Sequence, residues 1–170
     1  CEPSGKLNSR KSKGYVRDVF QQNHMNNLQG NLGIGHVRYP TAGGIGKEFA
    51  QPMYVNTPYG ISLAHNGNLT NSKKLAAELF HAERRHINTD SDSEVLLNIF
   101  ALELSKQEAV FPKPKDFFTA VEKTHLRING AYAVVALVTG YGILAFRDPL
   151  GIRPLSCLLY TSPSPRDQLQ

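Results

Sequence analysis

A chain of 170 residues, 41% of them hydrophobic, has the length of one ordinary domain, and no apolar run in it approaches the roughly eighteen residues of a membrane span. Nineteen Lys and Arg against fourteen Asp and Glu leave a net charge of +5, but apart from Lys6, Arg10, Lys11, Lys13 and Arg17 the cations are scattered, which is too little for a nucleic-acid surface. Two cysteines, Cys1 and Cys157, with no C-x-x-C pair and no basic-then-apolar leader, exclude a disulfide framework and a thioredoxin-type or zinc site and indicate a soluble protein of the reducing cytoplasm.

Residues 1–13 are polar and irregular, and the first ordered signal is the short apolar stretch 15–20. Residues 32–38 have a strand-like but glycine-rich pattern that runs into Tyr39-Pro40-Thr41-Ala42-Gly43-Gly44-Ile45-Gly46, a stretch of small and turn-forming residues that predicts a mobile loop. Two short strands, 53–56 and 60–65, flank Thr57-Pro58-Tyr59-Gly60 and form a hairpin candidate. Leu75, Ala76, Leu79 and Phe80 fall on one helical stripe behind the capping residues Asn71 and Ser72. Ser91 and Glu94 have capping-box spacing before Val95, Leu96, Leu97, Ile99 and Phe100, so a second helix is predicted from Ser91. Pro112 and Pro114 precede a third, marked by Phe117, Phe118, Val121 and Leu126. Apolar runs 131–139 and 142–146, separated by Gly140-Tyr141, read as adjacent antiparallel strands. Strands, then helices, then strands without βαβ alternation give an α+β layered class.

Several tempting motifs fail. Gly44-Ile45-Gly46-Lys47-Glu48 lacks the first glycine and the final Ser or Thr of a phosphate loop, and Gly33-Ile34-Gly35 has Arg38 where a dinucleotide fingerprint needs glycine. The six histidines show no metal-ligand spacing better than His81 and His86. Three polar places at the ends of apolar elements remain. Arg38 can clamp a carboxylate through two parallel hydrogen bonds, against the plain alternative of a surface ion pair. Asn66-Gly67 would normally mark a tight hairpin, but Leu69 to Leu75 is a helix approach with no returning strand. An Asn side-chain amide beside a Gly N–H is a pair of donors for a developing oxyanion. Thr89 to Glu94 places several acceptors at a helix start, where capping is the usual role, and Asp92 among them can instead hold an ammonium group. Together these describe an amino-acid site without a nucleophile.

Gly33-Ile34-Gly35-His36-Val37-Arg38-Tyr39-Pro40-Thr41-Ala42-Gly43, Ala64-His65-Asn66-Gly67-Asn68-Leu69-Thr70-Asn71, His86-Ile87-Asn88-Thr89-Asp90-Ser91-Asp92-Ser93-Glu94 and Phe146-Arg147-Asp148-Pro149 through Gly151-Ile152-Arg153-Pro154-Leu155 follow one another in an order that resembles the glutaminase domain of the amidophosphoribosyltransferase family. The resemblance runs from about Gly14 to Leu155. It implies an N-terminal-nucleophile hydrolase fold, a four-layer αββα sandwich of two antiparallel sheets between helices, here incomplete at its N-terminus. It also implies attack on the side-chain amide of glutamine by an N-terminal cysteine and delivery of the ammonia to a second, phosphoribosyltransferase domain. There, with magnesium, it displaces pyrophosphate from phosphoribosyl pyrophosphate and opens purine biosynthesis. Carried over by motif, Arg38 binds the glutamine carboxylate, Asp92 the ammonium, Asn66 with Gly67 the oxyanion, and Thr41 joins the substrate-binding set on a loop that closes over glutamine. No cofactor or metal is expected within 1–156; magnesium, and in some members an iron–sulfur cluster, belong to the full-length enzyme, which the family implies is a homo-oligomer. The neighbouring alternatives are another amidotransferase of the same superfamily, such as glucosamine-6-phosphate synthase, and a non-catalytic glutamine-binding module.

Cys1 does not fit the nucleophile of that family, which opens an apolar Cys-Gly-Ile-Val-Gly strand, whereas Cys1 precedes Glu2-Pro3-Ser4-Gly5. The expectation is therefore a partial glutaminase domain over 1–156 without its catalytic cysteine, and inactive by itself. After Leu155 the pattern departs abruptly. Residues 157–170 can be encoded by the transposase end and adapter of a sequencing library and read as a non-native tail, against the alternative of a polar, proline-rich linker.

Overall fold

The computed structural model describes residues 1–38, 46–107 and 111–158. Its frame is a meander of four antiparallel strands, β1 (Met53–Val55), β2 (Ile61–Leu69), β3 (Gly130–Val138) and β4 (Gly142–Arg147), in the spatial order β1-β2-β3-β4. The register sets Leu63 opposite Ala136, His65 opposite Val134, and Val134 opposite Phe146. Because side chains alternate across a strand, Ile61, Leu63, Leu69, Tyr132, Val134, Ala136, Val138 and Phe146 share one face and are buried.

Three helices cover that face: α3 (Ser72–His81), α4 (Asp92–Ser105) and α5 (Pro114–His125), with α4 in the middle, packed on α3, α5, β1 and β2. Two short helices, α1 (Val16–Val19) and α2 (Gln22–Asn27), precede them. Continuous burial from Val95 to Leu104 explains why α4 lacks a polar face: a helix apolar all round is a core helix. Each of its Leu, Ile and Phe side chains contributes about 1.5–3 kcal/mol through removal from water. The buried Glu103 is met by Arg127, whose guanidinium also reaches Glu78 and so joins α3 and α4 to the connection before β3. The α+β class is thus realised as one helix layer on one sheet, two of the four layers of the sandwich.

The hairpin, the three long helices and the final strand pair stand where the sequence predicts them. Several details differ. Residues 32–38 form no strand; Gly33 and Gly35 bring no side chains to pack and the segment has no ladder partner. Strand β2 continues past His65 to Leu69. Phe80, Phe118 and Leu126, assigned to apolar stripes, are exposed. Asn71 makes no side-chain cap; it bonds instead to Arg127 O and Asn129 N. Ser91 caps α4 through the Ser93 N–H, but Glu94 turns to the N–H groups of Asn88 and Thr89, so the reciprocal half of the capping box is absent. Helix α2 is exposed and polar and has no apolar stripe to announce it.

The chain leaves β4 through Asp148, which is 2% exposed. Its two carboxylate oxygens accept the backbone N–H groups of Tyr132, Ile152 and Arg153. Burial pushes this carboxyl up, but the backbone donors outweigh burial and hold it below its ordinary value. The fold therefore favours the ionised form. Stabilisation from Asp148 is complete above the unfolded carboxylate range and is lost as the pH falls through the lower, folded value. Thermal melts from pH 7 to pH 3 check this: Asp148→Asn should lower the melting temperature at neutral pH and flatten the acid decline, and an unchanged acid decline would contradict it.

Candidate functional site

Strand β2 carries His65, Asn66 and Gly67 on successive positions, so His65 turns toward the helices while Asn66 turns to the opposite face. That second face bears Ala64, Ala133, Val135 and Ile143, and with Gly33 to His36 and Pro154-Leu155 it bounds a cleft of about 390 Å³ into which Asn66 opens. Gly67 is fixed by two demands. Its φ of +153° disfavours any side chain, and a Cβ built there would lie 2.0 Å from Ala131 O on β3. Asn66 and Gly67 thus sit where β2 and β3 approach most closely, on rigid strand and not on a turn.

Asp92 is the first residue of α4. Its Oδ2 accepts the Leu69 N–H at 2.9 Å, and Oδ1 stands 3.8 Å from His65 Nδ1. The carboxylate therefore meets β2 two residues beyond Gly67, with its side chain still 22% exposed. Residues with no place in the sequence-derived set complete the junction. Gln51 Oε1 accepts the His65 backbone N–H at 2.6 Å, Gln51 Nε2 donates to Ser93 Oγ at 3.1 Å, and Ser93 Oγ lies 3.0 Å from His65 Nδ1. Burial is the main cause that lowers the His65 pKa, opposed by Asp92 and reinforced by His36 and Arg153, so the imidazole is neutral at pH 7. His65 and Ser93 each adjoin a predicted site residue, a signal the sequence does contain; nothing in the sequence singles out Gln51.

Arg38 is exposed and lines a separate, larger cleft of about 1460 Å³ together with Gln51 and Gly33 to His36. Its guanidinium lies near enough to His36 to add to burial in lowering that imidazole's pKa, and His36 hydrogen-bonds the His65 backbone. Arg38 thus lies beside His36 in the larger cleft, Gly67 and Asp92 lie at the β2–α4 junction, and Asn66 faces the second cleft on the other side of the sheet. Thr41 lies outside the described residues, as does most of the loop from Tyr39 to Glu48; the end of that loop enters a 3-10 turn over Lys47–Phe49. Cys1 lines the larger cleft, where its ammonium donates to Leu32 O and its Sγ to Glu2 O. Among the described residues no group of three or more His, Cys, Asp and Glu side chains is placed to hold a metal ion, and no helix is long and apolar enough to cross a membrane.

Comparison with known proteins places this geometry in context. A family model described as a glutamine amidotransferase domain matches residues 45–163. The chain is 59% identical over 150 residues to an amidophosphoribosyltransferase of Pseudomonas aeruginosa, covering 88% of this chain and 30% of that protein. It is also 59% identical over 146 residues to the amidophosphoribosyltransferase of Escherichia coli, covering 86% and 29%. The chain therefore spans less than a third of the length of these relatives. Among solved structures it is similar to the glutamine phosphoribosylpyrophosphate amidotransferase of B. subtilis complexed with ADP and GMP, with a TM-score of 0.69 and 29% identity over 88% of this chain and 30% of that one.

The backbone approach at Gly67 yields a direct test. Gly67→Ala should destabilise the protein by about 2 kcal/mol or more, because the clash is with backbone and cannot be relieved by a side-chain turn. Gly33→Ala, where an added Cβ meets nothing within 4 Å, should be close to neutral. Urea denaturation of both variants checks this, and equal midpoints would contradict it.

Proposed function

Because this chain belongs to the family of glutamine amidotransferase domains, we propose that it is the glutamine-handling part of a glutamine-dependent amidophosphoribosyltransferase of the cytoplasm. The observation that carries the reading is the junction at which a carboxylate, Asp92, is bonded to the strand that presents Asn66 and Gly67. An amino acid with an amide side chain needs a counter-charge for its ammonium and donors for its amide oxygen; β2 carries the donors, with the Asn66 side chain on its cleft face, and α4 carries the counter-charge, Asp92, bonded to that strand two residues beyond Gly67. Arg38, which follows His36 at two residues' distance, is the cation proposed for the α-carboxylate, and Thr41 the proposed hydroxyl.

In the reaction, attack on the glutamine amide carbon turns the carbonyl oxygen into an oxyanion. The Asn66 side-chain NH2 and the Gly67 N–H stabilise that charge in the transition state more than in the ground state, and one such donor is worth about 2.7–4 kcal/mol. Collapse of the tetrahedral intermediate breaks the C–N bond and, with the proton given up by the attacking thiol, releases ammonia and leaves a thioester that water hydrolyses to glutamate; the transferase part of the enzyme adds the ammonia to phosphoribosyl pyrophosphate with loss of pyrophosphate to give phosphoribosylamine. Cys1 is not assigned the role of nucleophile: its amino group donates to Leu32 O and its thiol to Glu2 O. Magnesium and any iron–sulfur cluster belong with the transferase part and with a homo-oligomeric full-length protein; the described residues hold no ligand set for them, and no step here runs through them.

Equilibrium titration of the chain with L-glutamine tests the reading. Arg38→Ala and Asp92→Asn should each weaken binding by about tenfold or more, as expected for loss of a charge-assisted hydrogen bond, and Cys1→Ala should leave it unchanged. Binding indifferent to both site changes would overturn the assignment, and glutamine hydrolysis that disappears in Cys1→Ala would overturn the account of the nucleophile.

A further inference from the structure

The segment from His65 to Leu69 is tethered to the start of α4 at both ends. At the far end the Leu69 N–H goes to Asp92. At the near end the His65 N–H goes to Gln51 Oε1, which fixes the orientation of the Gln51 amide: its NH2 must point to Ser93 Oγ. Ser93 Oγ lies 3.0 Å from His65 Nδ1, within hydrogen-bond reach for either neutral tautomer of the imidazole. The three contacts thus form a closed ring of Gln51, Ser93 and His65. His65 and Ser93 are 4% and 2% exposed, so the ring is shielded from competing water.

Each member of the ring adjoins a group of the proposed site. His65 precedes Asn66, Ser93 follows Asp92, and Gln51 joins the His65 backbone to the Ser93 side chain from a third segment. The ring therefore sets how far the oxyanion donors stand from the carboxylate that receives the ammonium. Resting on the glutamine reading above, we propose that Gln51, Ser93 and His65 are positioning residues that fix this span and thereby select an amino acid with the side-chain length of glutamine over asparagine, one methylene shorter. A pocket that discriminates by one methylene does so by roughly 10–200-fold, and such discrimination survives only if the two ends of the site are held at constant separation.

Titration of the chain with L-glutamine and L-asparagine decides the matter. The unaltered chain should prefer glutamine by about tenfold or more. Ser93→Ala and Gln51→Met, each of which opens the ring, should lower the ratio of the two affinities several-fold, while Asp92→Asn should weaken both ligands by a similar factor and keep the ratio. Melting temperatures identify any variant that fails to fold, and the half-buried Gln51→Met serves as the reading if Ser93→Ala does not. If glutamine binds selectively and either folded ring variant keeps that selectivity, the positioning role is wrong and the glutamine site stands. If the unaltered chain binds neither amino acid, the glutamine reading itself is wrong and this inference goes with it.

Discussion

The hydrogen bond from Leu69 to Asp92 is the contact on which the arrangement of this molecule turns. A helix start and a strand end are both places with spare backbone donors, and a carboxylate at the first helical position is favoured there by the helix dipole. By reaching across to Leu69, Asp92 uses that favourable position to dock α4 on β2. The buried α4 then supplies the surface on which α3, α5 and the sheet pack. Asp92 thus both docks the core helix on the sheet and carries the charge proposed to receive substrate, so the candidate site is built on a helix and a strand of the core.

The close approach of β2 and β3 is the second constraint. Gly67 and Gly130 both face backbone on the neighbouring strand, at distances that leave no room for a Cβ. The strands can come together there only because two side chains are missing, and Asn66 is thereby presented at the edge of a cleft and not within a filled core. Asp148 acts at the same end of the sheet, tying Tyr132, which lies opposite Gly67 on β3, to the turn that carries Ile152 and Arg153.

The sequence made the helix layer legible because its signals are local. Ser91 and Glu94 before Val95, Leu96, Leu97, Ile99 and Phe100 mark α4, and Pro114 marks α5, where it occupies the first turn. The terminal strand pair was legible from composition and the Gly140-Tyr141 break. What was not legible depended on partners distant in sequence. Asn66-Gly67 has the signature of a turn, and only the nearness of Ala131 explains a glycine inside a strand. Phe80, Phe118 and Leu126 have the right spacing for a buried stripe, but among the described residues no element covers them. Among the site residues, Asp92 is bonded to the strand that carries Asn66 and Gly67, Asn66 faces the cleft on the other side of that strand, Arg38 lies beside His36 in the larger cleft, and Gln51 enters from a segment with no motif.

The central claim is that glutamine binds at the β2–α4 junction. Amide chemical shifts of the 15N-labelled chain during a titration with L-glutamine test it most directly. The account predicts the largest saturable shifts at Asn66, Gly67, Leu69 and Asp92, with Arg38 responding and Glu2 unmoved. Shifts concentrated along residues 1–13, with Gly67 and Asp92 unmoved, would contradict it.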